Sequence, residues 1–75
     1  MSETRELRAL KRAVKLAGGQ SPLARALREA GNKRITQAHV WDWLNRRGYA
    51  PAEVCAAIEA ATGVTRAELR PDIYA

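Results

Sequence analysis

The chain has no phenylalanine, and it carries one cysteine, one histidine and one methionine among 75 residues. A lone thiol, Cys55, closes no intrachain disulfide and builds no Cys-rich metal site, and His39 by itself holds no zinc. No metal and no cofactor are expected. No nucleophile–base pair stands out either, so the residues argue against an enzyme. Long hydrophobic runs are also missing, and none approaches the roughly 18 residues that a membrane span requires. The opening stretch SETRELRALKRAV is charged throughout and lacks the apolar core of a signal peptide. These absences lead to the expectation of a cytoplasmic protein in a reducing compartment. A chain this short is expected to be a single domain over residues 1–75, burying only about 60–65% of its unfolded surface, so self-association would help its core.

Charge is plentiful and uneven. Thirteen Lys and Arg face eight Asp and Glu, a net of +5. Residues 1–47 carry eleven of the basic side chains and four acids, +7; residues 48–75 carry two and four, −2. A basic half suggests a surface facing a polyanion, with nucleic acid the leading candidate and a plain solvated face the simpler alternative.

Ala and Leu dominate the apolar residues, strand-like alternation is absent, and helical periodicity recurs. The first helix is expected from about Glu3 to Ala17, with Leu7, Leu10, Val14 and Ala17 on its inner face and Gly18-Gly19 ending it. The second opens with Ser21 as N-cap and Pro22 at the first helical position, turns Leu23, Ala24, Leu27 and Ala30 inward, and ends at Gly31-Asn32. The third is capped by Thr36, stapled by Ile35 onto Val40, and runs to about Arg46 before Gly48. The fourth follows Pro51 to Thr62 with Val54, Ala57, Ile58 and Ala61 inside, and Gly63 terminates it. Thr65 and Glu68 form a capping box, with Val64 and Leu69 as the staple, so a fifth short helix precedes Pro71 and a tail over 70–75. The expected fold is all-α: a compact four- to five-helix bundle.

Two short helices joined by a Gly-containing turn, over about 20–47, make the supersecondary unit of helix-turn-helix proteins. On a wheel of about 100° per residue, Val40, Trp43 and Leu44 cluster inward, and Ala38, Asp42 and Asn45 lie opposite. Gln37, Ala38, Trp41 and Asp42 are therefore the candidate base-contacting residues. Gln can pair with adenine bidentately, Ala can meet a thymine methyl, and Asp can accept from cytosine. Asp42 has a second reading, as the i,i+4 partner of Arg46. Trp41 is expected to touch a ligand or a partner, or to sit half-buried at the edge of the core; Trp43 is expected in the core. Lys33, Arg34, His39, Arg46 and Arg47 flank the helix as candidate phosphate contacts, together with Thr36 and Asn45. Cys55 reads as a small packing residue.

The stretch Gln20-Ser-Pro-Leu-Ala-Arg-Ala-Leu27 resembles the first helix of Cro- and lambda-repressor-type helix-turn-helix domains, and Thr36-Gln-Ala-His-Val-Trp-Asp-Trp-Leu-Asn45 resembles their recognition helix. Over about residues 7–74 the chain resembles the YdaS-type Cro-like prophage regulators. The matching pieces are Leu16-Ala-Gly-Gly-Gln20, Ala57-Ile-Glu-Ala-Ala-Thr-Gly63 and, most specifically, Glu68-Leu-Arg-Pro-Asp-Ile-Tyr74. The resemblance implies a small repressor or antitoxin-like transcription regulator in the bacterial nucleoid, usually a dimer on a palindromic operator in double-stranded DNA. It also implies that Gln20, at the helix start beside Ser21, touches phosphate and braces Gln37. One stretch departs from the family pattern. Members typically join the two helices by a Gly-Val link, whereas here the span is Arg28–Ile35, which implies one more helical turn or a looser connection. The competing expectation is a protein-interaction module, in which the Trp41 surface binds a toxin, a phage factor or another copy of the chain.

Overall fold

In the computed structural model, residues 3–74 are described; Met1, Ser2 and Ala75, the last of them in the expected tail, lie outside the described residues. The expectation of an all-α chain is met. Five α-helices follow in order among the described residues: α1 Arg5–Ala17, α2 Gln20–Glu29, α3 Gln37–Asp42, α4 Ala52–Thr62 and α5 Arg66–Leu69. A π-helical turn, Trp43–Arg47, continues α3. None of these helices is long and apolar enough to cross a membrane.

The helix ends follow from local chemistry. Thr4 caps α1 by accepting the Leu7 amide at 3.2 Å. At its other end the Gly18 amide bonds the Lys15 carbonyl and the Gly19 amide bonds the Val14 carbonyl, a Schellman closure. Both glycines have positive φ, 100° and 132°, which costs a residue without Cβ nothing. This double-glycine reversal corrects the expected start of α2. Gly19 takes the N-cap position, and the helix begins at Gln20 with Ser21 already inside the first turn. Pro22 is tolerated there because first-turn amides have no helical acceptor.

All helices contribute to one buried cluster. Leu10, Leu23, Leu27, Val40, Val54, Ile58, Val64 and Leu69 are sealed from solvent, and Trp43 is nearly so. Each such side chain stabilises the fold by about 1.5–3 kcal/mol relative to exposure. The inner faces are rotated slightly from expectation. In α1 the buried positions are Ala9, Leu10 and Ala13, while Leu7, Val14 and Ala17 are only half-buried. Ala30 and Ala61 are exposed, and Cys55 takes the buried place on α4 beside Val54 and Ile58. Burial pushes the Cys55 thiol upward, so it stays protonated and packs as a small apolar group.

The end of the chain folds back on α4. Arg70 donates from Nη1 to the buried Ala50 carbonyl at 3.0 Å, and Nε and Nη2 bind the Asp72 carboxylate at 3.1 and 2.9 Å. Its guanidinium stacks 4.6 Å from the centre of the Tyr49 ring. Tyr74 packs against the core, whereas Ile73 stays exposed.

Candidate nucleic-acid interface

The helix pair α2–α3 presents the site, and the eight residues between Leu27 and Thr36 decide its geometry. Helix α2 continues two residues past Leu27 and then closes with a second Schellman motif. The Gly31 amide bonds the Arg28 carbonyl at 3.1 Å, and the Asn32 amide bonds the Leu27 carbonyl at 2.9 Å. The Ile35 amide returns to the Asn32 carbonyl at 3.1 Å, and Arg28 reaches across from Nη1 to the Ile35 carbonyl at 2.9 Å. Helix α2 thus stops at Glu29, and the connection that follows is tied by these bonds rather than loose. Nothing in the sequence singled out Arg28 for this part; the only available signal was a long donor placed seven residues before Ile35.

Thr36 caps α3 as expected, but its reciprocal partner is a histidine. The Thr36 amide donates to His39 Nδ1 at 3.0 Å, completing a capping box in which imidazole stands where a carboxylate is usual. With Nδ1 accepting, the neutral ring carries its proton on Nε2. Ile35 packs against the core cluster to which Val40 belongs.

The tie between the two helices is direct. Gln37 Nε2 donates to Gln20 Oε1 at 2.6 Å, joining the first residue of α3 to the first residue of α2. Gln37 keeps its Oε1 and a second N–H for other partners. Ala38 and Trp41 share the outer side of the same helix; both are exposed, Trp41 by 47%. A large aromatic left so open on a short helix is an available contact surface. Trp43, two residues on, is 3% exposed and belongs to the core.

The far end of this helix departs from plain α geometry. The Gly48 amide bonds the Trp43 carbonyl at 2.7 Å, an i→i+5 closure. A wider turn sets residues four and five on either side of the residue below. Asp42 is accordingly straddled: Arg46 Nε lies 3.5 Å from Oδ1 and Arg47 Nε 3.3 Å from Oδ2. The acid is engaged by both arginines, one of which the i,i+4 spacing had suggested. Asn45 turns its amide back to the Trp41 carbonyl at 2.9 Å. Ser21, Lys33, Arg34, Arg46 and Arg47 are all exposed, and Lys33 and Arg34 have no carboxylate within 4.0 Å among the described residues.

The arrangement is a rigidly braced outer face of amide, methyl and indole, bordered by cations at both ends. Among the described residues, no group of three or more His, Cys, Asp or Glu is placed to hold a metal ion. A family model described as "Bacterial toxin YdaS" matches residues 10–75. No curated protein and no solved structure matches the chain.

Proposed function

The chain belongs to the bacterial toxin YdaS family, and on that premise we propose that it is a sequence-specific DNA-binding transcription regulator, without catalytic activity, acting in the cytoplasm on the nucleoid. The helical stretch from Thr36 to Arg46 enters the major groove. The observation that carries this reading is the 2.6 Å bond between Gln20 and Gln37, which fixes the outer face of α3 relative to α2. Gln37, Ala38 and Trp41 meet the bases, and Gln20 offers its remaining amide N–H groups to a phosphate. Ser21, Thr36, His39 Nε2 and Asn45 add neutral contacts to the backbone. Lys33, Arg34, Arg46 and Arg47 supply the cations that draw the helix onto the duplex. Asp42 organises Arg46 and Arg47 rather than reading a base itself. Dimerisation on a palindromic operator would double these contacts.

Footprinting across DNA upstream of the protein's own gene tests the reading, with Gln37→Ala and Trp41→Ala beside the wild type. The expected result is a footprint in low salt that both substitutions weaken and that moderate salt erodes steeply. Absence of any low-salt footprint would sink the regulator reading; a footprint indifferent to both variants would mean that another element reads the DNA.

The exposure of Trp41 favours a second reading, a protein-interaction surface for a toxin, a phage factor or another copy of the chain. Binding built on an indole depends little on salt, so the salt titration separates the two.

A further inference from the structure

Helix α1 has two flanks with different surroundings. One carries Lys11 and Val14 and borders a crevice shared with Gln20, Leu44 and Asn45, beside the DNA-reading unit. The other carries Arg5, Arg8 and Arg12, which fall within about 60° of one another on the helix wheel. It faces α5, which packs on α1 and α4 and not on α2 or α3. Between α1 and α5 runs an open groove of about 350 Å³. Its apolar lining is made by Ala9, Ala67 and Pro71, and its polar lining by the three arginines and Glu68, three positive charges against one negative.

The polar lining is partly organised in advance. The Thr65 amide holds Glu68 Oε2 at 3.0 Å, and Glu68 Oε1 in turn receives Arg12 Nη2 at 2.9 Å. Arg12 is thereby drawn across the groove, which saves part of the ordering cost of binding. Arg5 and Arg8 have no carboxylate within 4.0 Å among the described residues. One turn beyond Arg12 on the same face stands Leu16, 61% exposed. Two unpaired guanidinia beside an apolar lining, with an open leucine at one end, match a ligand that is both anionic and apolar. A DNA phosphate is anionic only and gains nothing from Ala9, Ala67 and Pro71. A second copy of this chain is poorly matched too: Glu3, Asp42, Glu59, Glu68 and Asp72 are paired with its own cations, and the remaining acids, Glu6, Glu29 and Glu53, stand singly on three different helices rather than on one segment.

We propose that the α1–α5 groove is a docking site for an acidic segment of a partner protein, with an apolar side chain set between its carboxylates. Arg5 and Arg8 bind the carboxylates, and the apolar side chain rests on the apolar lining toward Leu16. The site lies away from α3, so it stands or falls independently of the DNA reading and would let the protein hold DNA and a partner together.

The test uses the full chain and a labelled short peptide of glutamates around one central leucine. Fluorescence anisotropy gives the affinity, and amide chemical shifts locate the peptide. Shifts are expected at Ala9, Arg12 and Ala67, with Gln37 to Trp41 undisturbed. The double variant Arg5→Gln, Arg8→Gln should weaken binding about tenfold, since each exposed ion pair contributes modestly. Replacing the peptide's leucine by alanine should cost about fivefold through lost apolar burial. Arg25→Gln, an exposed cation on α2, should change nothing. Thermal unfolding of the double variant checks that its fold is intact. The proposal is overturned if the peptide shifts none of these amides, if the alanine peptide binds equally well, or if a random-sequence DNA duplex occupies the groove and displaces the peptide.

Discussion

Removing the carboxylate of Asp42 separates its two possible parts on the outer face of α3. Asp42→Ala deletes a group that lies 3.5 Å from Arg46 and 3.3 Å from Arg47. The arginine side chains are 74% and 56% exposed, so each contact stabilises the fold by well under about 1 kcal/mol. Alanine is the better helix former by about 0.7 kcal/mol, so the losses and the gain nearly cancel and stability should change by less than about 0.5 kcal/mol. Binding should respond much more. Two cations lose their internal counter-charge, and the face gains one positive charge toward the duplex. With a slope contribution of about 0.9 per neutralised phosphate, one additional contact steepens the salt dependence by about one unit. Between 50 and 200 mM salt that is about a fourfold greater loss of affinity than in the wild type. In low salt the variant should bind random-sequence DNA more tightly, and its preference for the operator should shrink. Anisotropy titrations of operator and random duplexes at several salt concentrations measure all three quantities. A carboxylate that accepts from cytosine predicts the reverse: operator affinity falls about five- to 150-fold, from a lost contact of about 1–3 kcal/mol, with the slope unchanged. That result would refute the arginine-organising role.

Gln20→Ala removes the 2.6 Å tie to Gln37 between two accessible side chains, so operator affinity should fall about fivefold while thermal unfolding is unaffected; equal affinity would show that α3 is held by its packing alone. Ile58→Ala opens the centre of α4 against the core and should cost about 2–5 kcal/mol, a large share of the total stability of a chain this short, and urea unfolding reads it directly. A loss below about 1 kcal/mol would mean that the neighbouring side chains collapse into the space. The Glu68 carboxyl is held below its ordinary range by the Thr65 amide and then by Arg12, and Asp72 is held low by Arg70. Both folded values lie below the unfolded ones, so their stabilisation is complete above the usual carboxylate range and is lost as pH falls through the folded values. Acid unfolding of Arg12→Gln should accordingly show a shallower pH dependence than the wild type, and superimposable curves would contradict the pairing.

Most helix ends, though not the start of α2, and the division between the two tryptophans could be read from the sequence because each rests on a residue with one dominant use. Glycine at positive φ, threonine before a helix and the Thr65–Glu68 pair admit few alternatives, and Trp43 follows Val40 by three residues on one stripe. Alanine is different, since it suits either side of a helix. In α1 the apolar residues at 7, 9, 10, 13, 14, 16 and 17 permit two stripes; packing chose Ala9, Leu10 and Ala13, leaving Leu16 outside. The same ambiguity misplaced Ala30 and Ala61, both of which are exposed, whereas Cys55 packs on α4 as its small apolar character suggested. The candidate site was legible as a set of residues but only in part as a geometry. The family resemblance named the Gln20–Gln37 contact and the i,i+4 spacing named Asp42 with Arg46, whereas Arg28 with Ile35 is long-range and Arg47 on Asp42 depends on the width of an i→i+5 turn.

The connection between α2 and α3 shows why that distinction matters. A longer link between two helices ordinarily costs closure entropy and loosens their register. Here residues 28–35 form a Schellman closure and a turn pinned by Arg28, and their two remaining cations, Lys33 and Arg34, face solvent beside Thr36. This connection therefore coexists with the Gln20–Gln37 brace and places positive charge next to the start of α3. Should that helix dock as proposed, Lys33 and Arg34 would strengthen attraction to the backbone without contributing to the choice of bases, so affinity and sequence preference would be set by separate parts of the same motif.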